Sequence, residues 1–311
     1  MVKQEMRAVY AQTLVELGQK DDRIVVLEAD LMKSSGTGAF KAVFPNRVFN
    51  VGVAEANMVG IACGLSAGGK IPFAASFGCF ASRRTYDQFF LSGNYARQNV
   101  KLVGTDPGVS AAFNGGTHMP FEDAGIMRNI PGLVVFEPSD PISLKKLIEK
   151  SAYYRGCTYM RLHRKPVEEI YAKDEEFELG KGKVLREGGD VSIIATGAIM
   201  VSQALKAAQL LVSEGIEATV IDMHTIKPID KELVLKYARK TGAIVTCENH
   251  QIVNGLGSAV AEVLSENYPV KLKRIGVNEQ FGEVGTLEEL IARFRFTPED
   301  IASDVKQFLK K

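Results

Sequence analysis

The sequence predicts an α/β protein made of two doubly wound domains, each with a parallel sheet covered by helices on both faces. Short apolar runs typical of buried strands alternate with segments of helical periodicity almost throughout the chain. The 311 residues suffice for two hydrophobic cores. The alternation stops once, around residues 163–182, where a basic stretch and a charge run show no period. We therefore expect a first domain over 1–170, a surface linker over 171–185 and a second domain over 186–311.

In the first half, apolar residues recur at helical spacing near the N-terminus and a short apolar run follows. The pair Gly68-Gly69 marks the end of a nearly uncharged helix. The predicted elements are a helix over 4–17, a strand over 24–27, a loop over 33–38, a strand over 48–53, a helix over 55–67, a strand over 71–75, a helix over 84–96, a strand over 100–104, a Gly-rich loop over 105–120, a strand over 133–136, a helix to about residue 154 and a strand over 158–162.

The second half repeats the alternation, and Gly215 stops its first amphipathic helix. The predicted strands cover 191–195, 218–221, 243–247 and 270–275, and the predicted helices cover 199–214, 231–240, 257–267, 286–294 and 298–310. Gly255 and Gly257 resemble part of a dinucleotide-binding fingerprint, but a third glycine is missing and the pair lies several residues past its strand. We interpret these glycines as a close turn into a helix.

Composition excludes some classes of protein. The 38 Lys and Arg against 37 Asp and Glu provide no electrostatic attraction for nucleic acid or a membrane surface. The apolar stretches are too short to span a bilayer, and the N-terminal residues lack a signal-peptide pattern, so we expect a cytoplasmic protein. The four cysteines are far apart, which predicts small buried side chains rather than zinc ligands or disulfides.

The stretch Asn50–Met58 places one carboxylate, Glu55, between an apolar run and a nearly uncharged helix. One interpretation is a charge that complements the positive end of the helix dipole. The other is a buried carboxylate aimed at a ligand, with its proton affinity altered by desolvation. The residues around Glu55 do not decide between the two.

Other polar or aromatic residues lie where strands are predicted to end. The loop with Ser34 and Ser35 can hold a phosphate or simply cap a helix. Phe77 and Phe80 can pack in a core or support a heteroaromatic ring. His118, in a Gly-rich loop, is a candidate hydrogen-bond donor or proton carrier.

Three arginines also require an explanation. Arg83 and Arg84 follow the aromatic pair amid apolar sequence, which indicates an anion nearby. Arg161 lies inside the last predicted strand of the first domain, where an arginine needs a partner. Its partner is either a substrate phosphate or a buried carboxylate, and the sequence leaves both open.

Taken together, these motifs resemble a known family. The segments NVGVAEANM, PFAASFGCF, GGTHMPFED and GLVVFEPSD, in this order, resemble the pyrimidine-binding domain of transketolase, a thiamine-diphosphate enzyme. The segments DVSIIATGA, VIDMHTIKPID and GVNEQFGEVGT resemble the transketolase C-terminal domain. The resemblance covers essentially the whole chain.

The resemblance implies roles for individual residues. Glu55 matches the glutamate that hydrogen-bonds the N1′ nitrogen of the cofactor's aminopyrimidine and so favours the tautomer that accepts the proton of the reactive carbon. The matching residues near the cofactor are Phe77, Phe80, Asp30 and Leu31. The matching residues on the sugar phosphate are Arg7, Ser34 or Ser35, and Arg161, with His118 on the donor hydroxyls. Asn114 stands where the family usually has an aspartate that contacts a sugar hydroxyl, which leaves sugar selectivity open.

The resemblance also implies a partner. Family members carry a G-D-G motif followed by an asparagine in an N-terminal domain that binds the diphosphate through magnesium or calcium, and this chain has no G-D-G. We therefore expect a C-terminal subunit of a split transketolase, without a metal site of its own. A separate N-terminal subunit would complete a heterotetramer that moves two-carbon ketol units between sugar phosphates. The alternatives are the β subunit of the decarboxylating component of a 2-oxoacid dehydrogenase and a non-catalytic scaffold subunit.

Overall fold

The computed structural model describes residues 3–310; Met1, Val2 and Lys311 lie outside the described residues. Within this range the strands are β1 (Lys3–Glu5), β2 (Ile24–Glu28), β3 (Val48–Asn50), β4 (Ile71–Phe77), β5 (Lys101–Thr105), β6 (Val134–Phe136), β7 (Thr158–Leu162), β8 (Pro166–Glu168), β9 (Lys183–Arg186), β10 (Val191–Ala195), β11 (Ala218–Asp222), β12 (Thr225–Lys227), β13 (Ala243–Gln251) and β14 (Lys271–Val277).

The α-helices of the same residues are α1 (Met6–Lys20), α2 (Met32–Ser35), α3 (Gly38–Val43), α4 (Glu55–Ala67), α5 (Gly78–Arg83), α6 (Tyr86–Gln88), α7 (Asp123–Arg128), α8 (Pro141–Tyr153), α9 (Gly197–Val212), α10 (Lys231–Thr241), α11 (Leu256–Asn267), α12 (Leu287–Arg293) and α13 (Pro298–Lys310). Within residues 3–310, no helix combines the length and the apolar character needed to cross a bilayer.

Two mainly parallel sheets confirm the predicted fold class. The first has the strand order β12-β6-β7-β5-β4-β2-β3, and the second has the order β14-β13-β10-β11-β9. Within these two sheets, only the edge strands β12 and β9 run antiparallel to their neighbours, and β1 and β8 form a separate antiparallel pair. Because β12 lies in the second half of the chain but pairs with β6, the second half contributes a strand to the first sheet.

Both faces of each sheet are covered. Along β2, Ile24 and Val26 join a core cluster with α1 and α8, whereas Val25 and Leu27 join a different cluster with α4. The second sheet shows the same division between a cluster with α9 and α13 and a cluster with α10 and α11. Alternate side chains of buried parallel strands therefore serve two cores, as the near-continuous apolar runs predicted.

Several local predictions are wrong in informative ways. The predicted loop over 33–38 overlaps α2, and Gly36 caps the C-terminus of this helix with a left-handed φ of 83°. In place of the single helix predicted over 84–96, the chain forms α5 from Gly78, the short helix α6 and then a π-helical segment, Phe89–Tyr95. Helix α7 was not predicted; its Gly125 N–H donates to His250 Nε2 of the second half, 3.1 Å away, so its position depends on a long-range contact.

The predicted surface linker is docked rather than free. Phe177 is fully buried in the first core, although the charged residues before it are mostly exposed. Strand β9 begins inside the predicted linker and pairs with β11. The domain boundaries themselves stay a prediction.

The Gly-rich loop over 105–120 packs on the second half of the chain. Val109, Met119 and Phe121 belong to the core cluster of the second sheet. Asn249, in β13, accepts a hydrogen bond from Val109 N–H at 2.9 Å and donates to the Pro107 carbonyl at 2.8 Å. The loop that carries His118 is thus positioned by the other half of the chain.

Gly255 and Gly257, at the start of α11, leave room for the buried carboxylate of Glu248. Leu256 N–H and Gly257 N–H donate to the buried Glu248 carboxylate at 2.7 and 2.8 Å. A side chain at Gly255 would collide with Glu248 Oε2, 1.9 Å from its Cβ position. The glycines therefore allow a carboxylate of the chain itself to approach the N-terminus of the helix.

Candidate active site

The candidate site lies where the parallel strands of the first sheet end. Glu55 follows β3, Phe77 ends β4, and His118 lies in the loop after β5. In an open α/β sheet the carboxyl ends of parallel strands share one edge, and ligands bind there. The topology therefore brings together residues that are far apart in the sequence.

Glu55 occupies the first turn of α4, as predicted, and is buried, with 2% of its surface exposed. Its Oε1 accepts from Ser76 Oγ at 3.2 Å, and its Oε2 accepts from Arg84 Nη1 at 3.0 Å. The helix N-terminus and these two donors together compensate the carboxylate. The helix-dipole interpretation of Glu55 fits its position, its role toward a ligand stays a prediction, and Glu55 is an anion next to Arg84, as the sequence indicated.

An aromatic group lies next to Arg84, the partner of this carboxylate. The rings of Phe77 and Phe80 are 6.1 Å apart, centroid to centroid. The His118 ring lies edge-on to both, at 5.8 and 5.1 Å. The guanidinium of Arg84 lies 3.8 Å from the centroid of Phe80. The structure therefore joins three of the predicted site residues in one partly exposed group, which Arg84 links to Glu55.

Arg83 has a different set of partners from Arg84. It donates to the carbonyls of Cys79 and Thr117, each at 3.2 Å, and pairs with Glu122 at 3.2 Å. Thr117 precedes His118, and its hydroxyl lies 2.9 Å from His118 Nδ1. Arg83 therefore fastens the His118 loop to α5.

Arg164 is a site residue that the sequence analysis missed. Its Nε donates to Asp106 at 2.6 Å, its Nη1 donates to the Ser34 carbonyl at 3.2 Å, and its guanidinium lies 5.2 Å from the Phe77 ring centroid. Its Nη2 also pairs with Asp106 at 2.5 Å, so three of its five N–H groups are used and two, on Nη1 and Nη2, have no partner among the described residues. The sequence analysis assigned Arg164 to the linker because it lies in the basic stretch HRKP. Its position two residues after β7, at the end of a parallel strand, is the signal that indicated a site.

Arg7 lies next to this arginine. Its backbone N–H donates to the Arg164 carbonyl at 3.2 Å, and its side chain, 35% exposed, pairs with Glu5 at 2.7 Å. Ser34 is half-buried and adjoins the same guanidinium through its carbonyl. Arg7 and Ser34 therefore adjoin Arg164 through backbone groups, and the guanidiniums of Arg7 and Arg164 are each paired with a carboxylate.

Ser35 is not open to a substrate, contrary to its predicted role. Its hydroxyl is buried and donates to Glu28 Oε1 at 2.5 Å, where Thr37 also donates at 2.6 Å. Burial raises the pKa of Glu28 to about 7, against the lowering effect of these two hydrogen bonds. Ser35 and Thr37 thus donate hydrogen bonds to a buried carboxyl group of the chain itself.

Glu28→Gln should change how stability depends on pH. Because the folded-state pKa of Glu28 exceeds its ordinary value of 4.5, the folded chain binds more protons between pH 4.5 and about 7, and stability falls as pH rises across that window. The uncharged amide of Glu28→Gln does not titrate, so the variant does not lose stability as pH rises across this window. Relative to wild type, the variant should gain up to about 3 kcal/mol between pH 5 and pH 8 in urea unfolding.

Glu16→Gln is the control for this measurement. Its hydrogen bond with Lys145 lowers the pKa of Glu16, so its stabilising effect is present at higher pH and is lost as pH falls. Because this titration lies below about pH 4.5, the difference between Glu16→Gln and wild type should stay flat from pH 5 to pH 8. A pH-independent difference between Glu28→Gln and wild type would contradict the assignment of Glu28.

The structure contradicts the substrate role of Arg161. The side chain is fully buried, and its Nε and Nη1 pair with Asp123 and Glu137 at 2.9 and 2.5 Å. Its Nη2 donates to the Asn249 carbonyl at 3.0 Å. Burial lowers the pKa of Arg161, but the two carboxylates more than offset this and raise it. The buried-carboxylate alternative is therefore the correct one.

The remaining predicted residues lie around the group. Asp30 is exposed at a left-handed φ of 63°, and its N–H donates to Asn50 Oδ1 at 2.9 Å. Leu31 follows at the start of α2 and is half-buried, while Asn114 is exposed, four residues before His118. Asp30 and Leu31 follow β2, next to β3, so both lie at the same sheet edge as Glu55.

Comparison with known proteins gives a consistent result. The model of the transketolase pyrimidine-binding domain matches residues 2–169, and that of the transketolase C-terminal domain matches residues 180–301. A 6-deoxy-6-sulfo-D-fructose transketolase subunit SqwH of Clostridium sp. (strain MSTE9) is 53% identical over 95% of this chain and 92% of its own length. A putative transketolase C-terminal section of Methanocaldococcus jannaschii is 45% identical over 98% of this chain and 96% of its own.

A solved structure agrees with these relatives. A protein described as a split gene transketolase, inactive beta4 tetramer, superposes with a TM-score of 0.90 and 44% identity, covering 98% of both chains. By contrast, the chain spans 49% of the rat transketolase, to which it is 34% identical. The chain therefore belongs to the transketolase family, as a C-terminal subunit of the split-gene type.

Proposed function

We propose that this chain binds the pyrimidine half of thiamine diphosphate and, with a second subunit, transfers ketol units between sugars with an anionic terminus. The observation that carries the proposal is the buried Glu55 carboxylate, paired with Arg84, whose guanidinium stacks on Phe80 in the aromatic group of Phe77, Phe80 and His118. A flat heteroaromatic ring with N–H donors suits such a surface.

The residues present fit this half of the cofactor. The Arg84 guanidinium, itself flat and rich in N–H groups, already stacks on Phe80 and donates to Glu55. An aminopyrimidine would make the same two contacts. Glu55 would hold the ring nitrogen, Phe77 and Phe80 would flank the ring, and Asp30 and Leu31 adjoin it at the next strand end. When bound, thiamine diphosphate supplies a nucleophilic carbon that takes up a ketol unit and releases it to an acceptor.

The chain's own residues would bind and orient the sugar. His118, held by Thr117, would hydrogen-bond the hydroxyls near the reacting carbon. Arg7, Ser34 and Arg164 would hold the anionic terminus, in competition with Glu5 and Asp106, because a guanidinium can bind two oxygens of such a group at once. The aromatic side chains would keep water away from Glu55 and strengthen its hydrogen bond.

A separate N-terminal subunit would supply the metal and diphosphate site. The chain has no G-D-G motif. The related split-gene tetramer that contains only beta chains is described as inactive. Both observations support a heterotetramer with two copies of each chain, in which magnesium or calcium is held mainly by the partner.

The test is reconstitution with the product of a neighbouring gene that carries G-D-G. The complex, with thiamine diphosphate and magnesium, should transfer ketol units from a ketose phosphate, and each chain alone should be inactive. A panel with 6-deoxy-6-sulfofructose, fructose 6-phosphate and a 2-oxoacid decides the substrate class. Decarboxylation of the oxoacid without sugar transfer would refute the proposal, and the sulfonate donor is included because of the name of the 53% identical relative.

Arg164→Lys should weaken substrate binding selectively. A lysine keeps a cation beside Asp106 but loses the remaining N–H groups on Nη1 and Nη2, which would bind two oxygens of a phosphate or sulfonate. We expect KM for the anionic donor to rise about tenfold, with kcat nearly unchanged. Arg23→Lys, at the start of β2 and thus at the opposite edge of the sheet, should leave KM unchanged. An equal fall in kcat without a change in KM would contradict this role.

A further inference from the structure

Arg84 makes the two contacts that the site offers to an aminopyrimidine. Its Nη1 donates to Glu55 Oε2 at 3.0 Å. Its guanidinium carbon lies 3.8 Å from the centroid of the Phe80 ring, within the range of a cation–π contact. A flat cation with N–H donors therefore lies where the ring would stack and hydrogen-bond.

The side chain of Arg84 is free to leave this position. It is 48% exposed, whereas Glu55 is 2% exposed, so the pair opens to solvent on the arginine side only. The neighbouring Arg83 is held differently, by two backbone carbonyls and Glu122. Arg84 follows the last residue of α5, so its long side chain can swing outward without movement of the sheet.

We propose that Arg84 closes the pyrimidine position on Glu55 in the unloaded chain and is displaced when the cofactor binds. This rests on the proposed function, because it assumes that Glu55 is the pyrimidine's partner. On displacement of Arg84, Glu55 and the ring nitrogen share one proton, so the buried carboxyl group keeps a hydrogen-bond partner. Arg84 would thus protect Glu55 while the chain lacks its cofactor, and would lower the affinity for the ring.

The competition should be modest. A half-exposed ion pair and an exposed cation–π contact are both weak, and together they correspond to about a three- to tenfold change in affinity. Arg84→Ala should therefore bind the ring about three- to tenfold more tightly than wild type. The neighbouring Arg83→Ala removes the same charge but not the competitor, so it should not tighten binding.

The first experiment uses the full chain alone with 4-amino-5-hydroxymethyl-2-methylpyrimidine, titrated by calorimetry against wild type, Arg84→Ala and Arg83→Ala. This probe is the pyrimidine half of the cofactor and needs no diphosphate site. Tighter binding by Arg84→Ala alone supports the inference. Equal or weaker binding by that variant, or no binding by any of the three proteins, overturns it.

The second experiment observes the arginine directly, by the Nε–H NMR signal of Arg84. Both Glu55→Gln and saturation with the pyrimidine should move this signal, and an unchanged signal in either case overturns the inference. Ketol transfer by the reconstituted complex is measured separately. Transfer without any effect of Arg84→Ala overturns the inference alone, and the effect of Arg84→Ala without transfer overturns the proposed function alone.

Discussion

Glu55→Gln should lower kcat of the reconstituted complex by about 10²- to 10⁴-fold, the range for loss of a positioned proton-transfer group. The amide has nearly the same shape and can still accept from Ser76 Oγ, now 3.2 Å from Oε1. It carries no charge, so it can neither stabilise a protonated ring nitrogen nor pair with Arg84. The fold should survive, because α4 keeps its packing against the first sheet.

The measurement is a ketol-transfer assay together with calorimetric titration of thiamine diphosphate into the complex. Binding should weaken by about tenfold, while unfolding of the chain alone stays close to wild type. Glu16→Gln is the control, since it removes a carboxylate paired with one cation, Lys145, at 2.8 Å on the surface of α1. Activity within tenfold of wild type in Glu55→Gln would refute the role of Glu55 and favour a scaffold subunit.

Arg161→Met should destabilise the chain by about 3–5 kcal/mol, because it leaves two buried carboxylates without their cation. Asp123 is fully buried, and it also accepts a hydrogen bond from Tyr159 at 2.8 Å. Glu137 is 3% exposed and loses its partner at 2.5 Å. The Asn249 carbonyl, which joins the second half of the chain to this group, also loses its donor.

Urea unfolding of the isolated chain measures this change. The triple variant Arg161→Met, Asp123→Asn, Glu137→Gln should recover at least half of the lost stability, and it provides a reference if the single variant fails to fold. Arg23→Met breaks an exposed pair with Asp21 and should cost less than about 1 kcal/mol. A stable Arg161→Met chain whose complex shows only a raised KM would instead support the substrate role that the structure contradicts.

Local periodicity was enough to predict much of the fold. Helix α4 begins at Glu55, as predicted, because the change from an apolar strand pattern to a helical one occurs within a few residues. The buried strands of both sheets were recognised by their continuous apolar runs. The sequence analysis missed elements whose position depends on distant partners. Examples are α7, which hydrogen-bonds His250, and β12, which pairs with β6.

For the site, the sequence by itself determined which residue types stand at the strand ends: the carboxylate Glu55, the rings of Phe77 and Phe80, and His118. Each follows a strand, and parallel topology brings such positions to one edge. Only the tertiary structure decided which charges meet. Ser35 donates to Glu28, Arg161 pairs with Asp123 and Glu137, and Arg84 rather than a substrate contacts Glu55. The physical reason is that an ion pair depends on a few ångströms between residues distant in the chain, which local pattern does not encode.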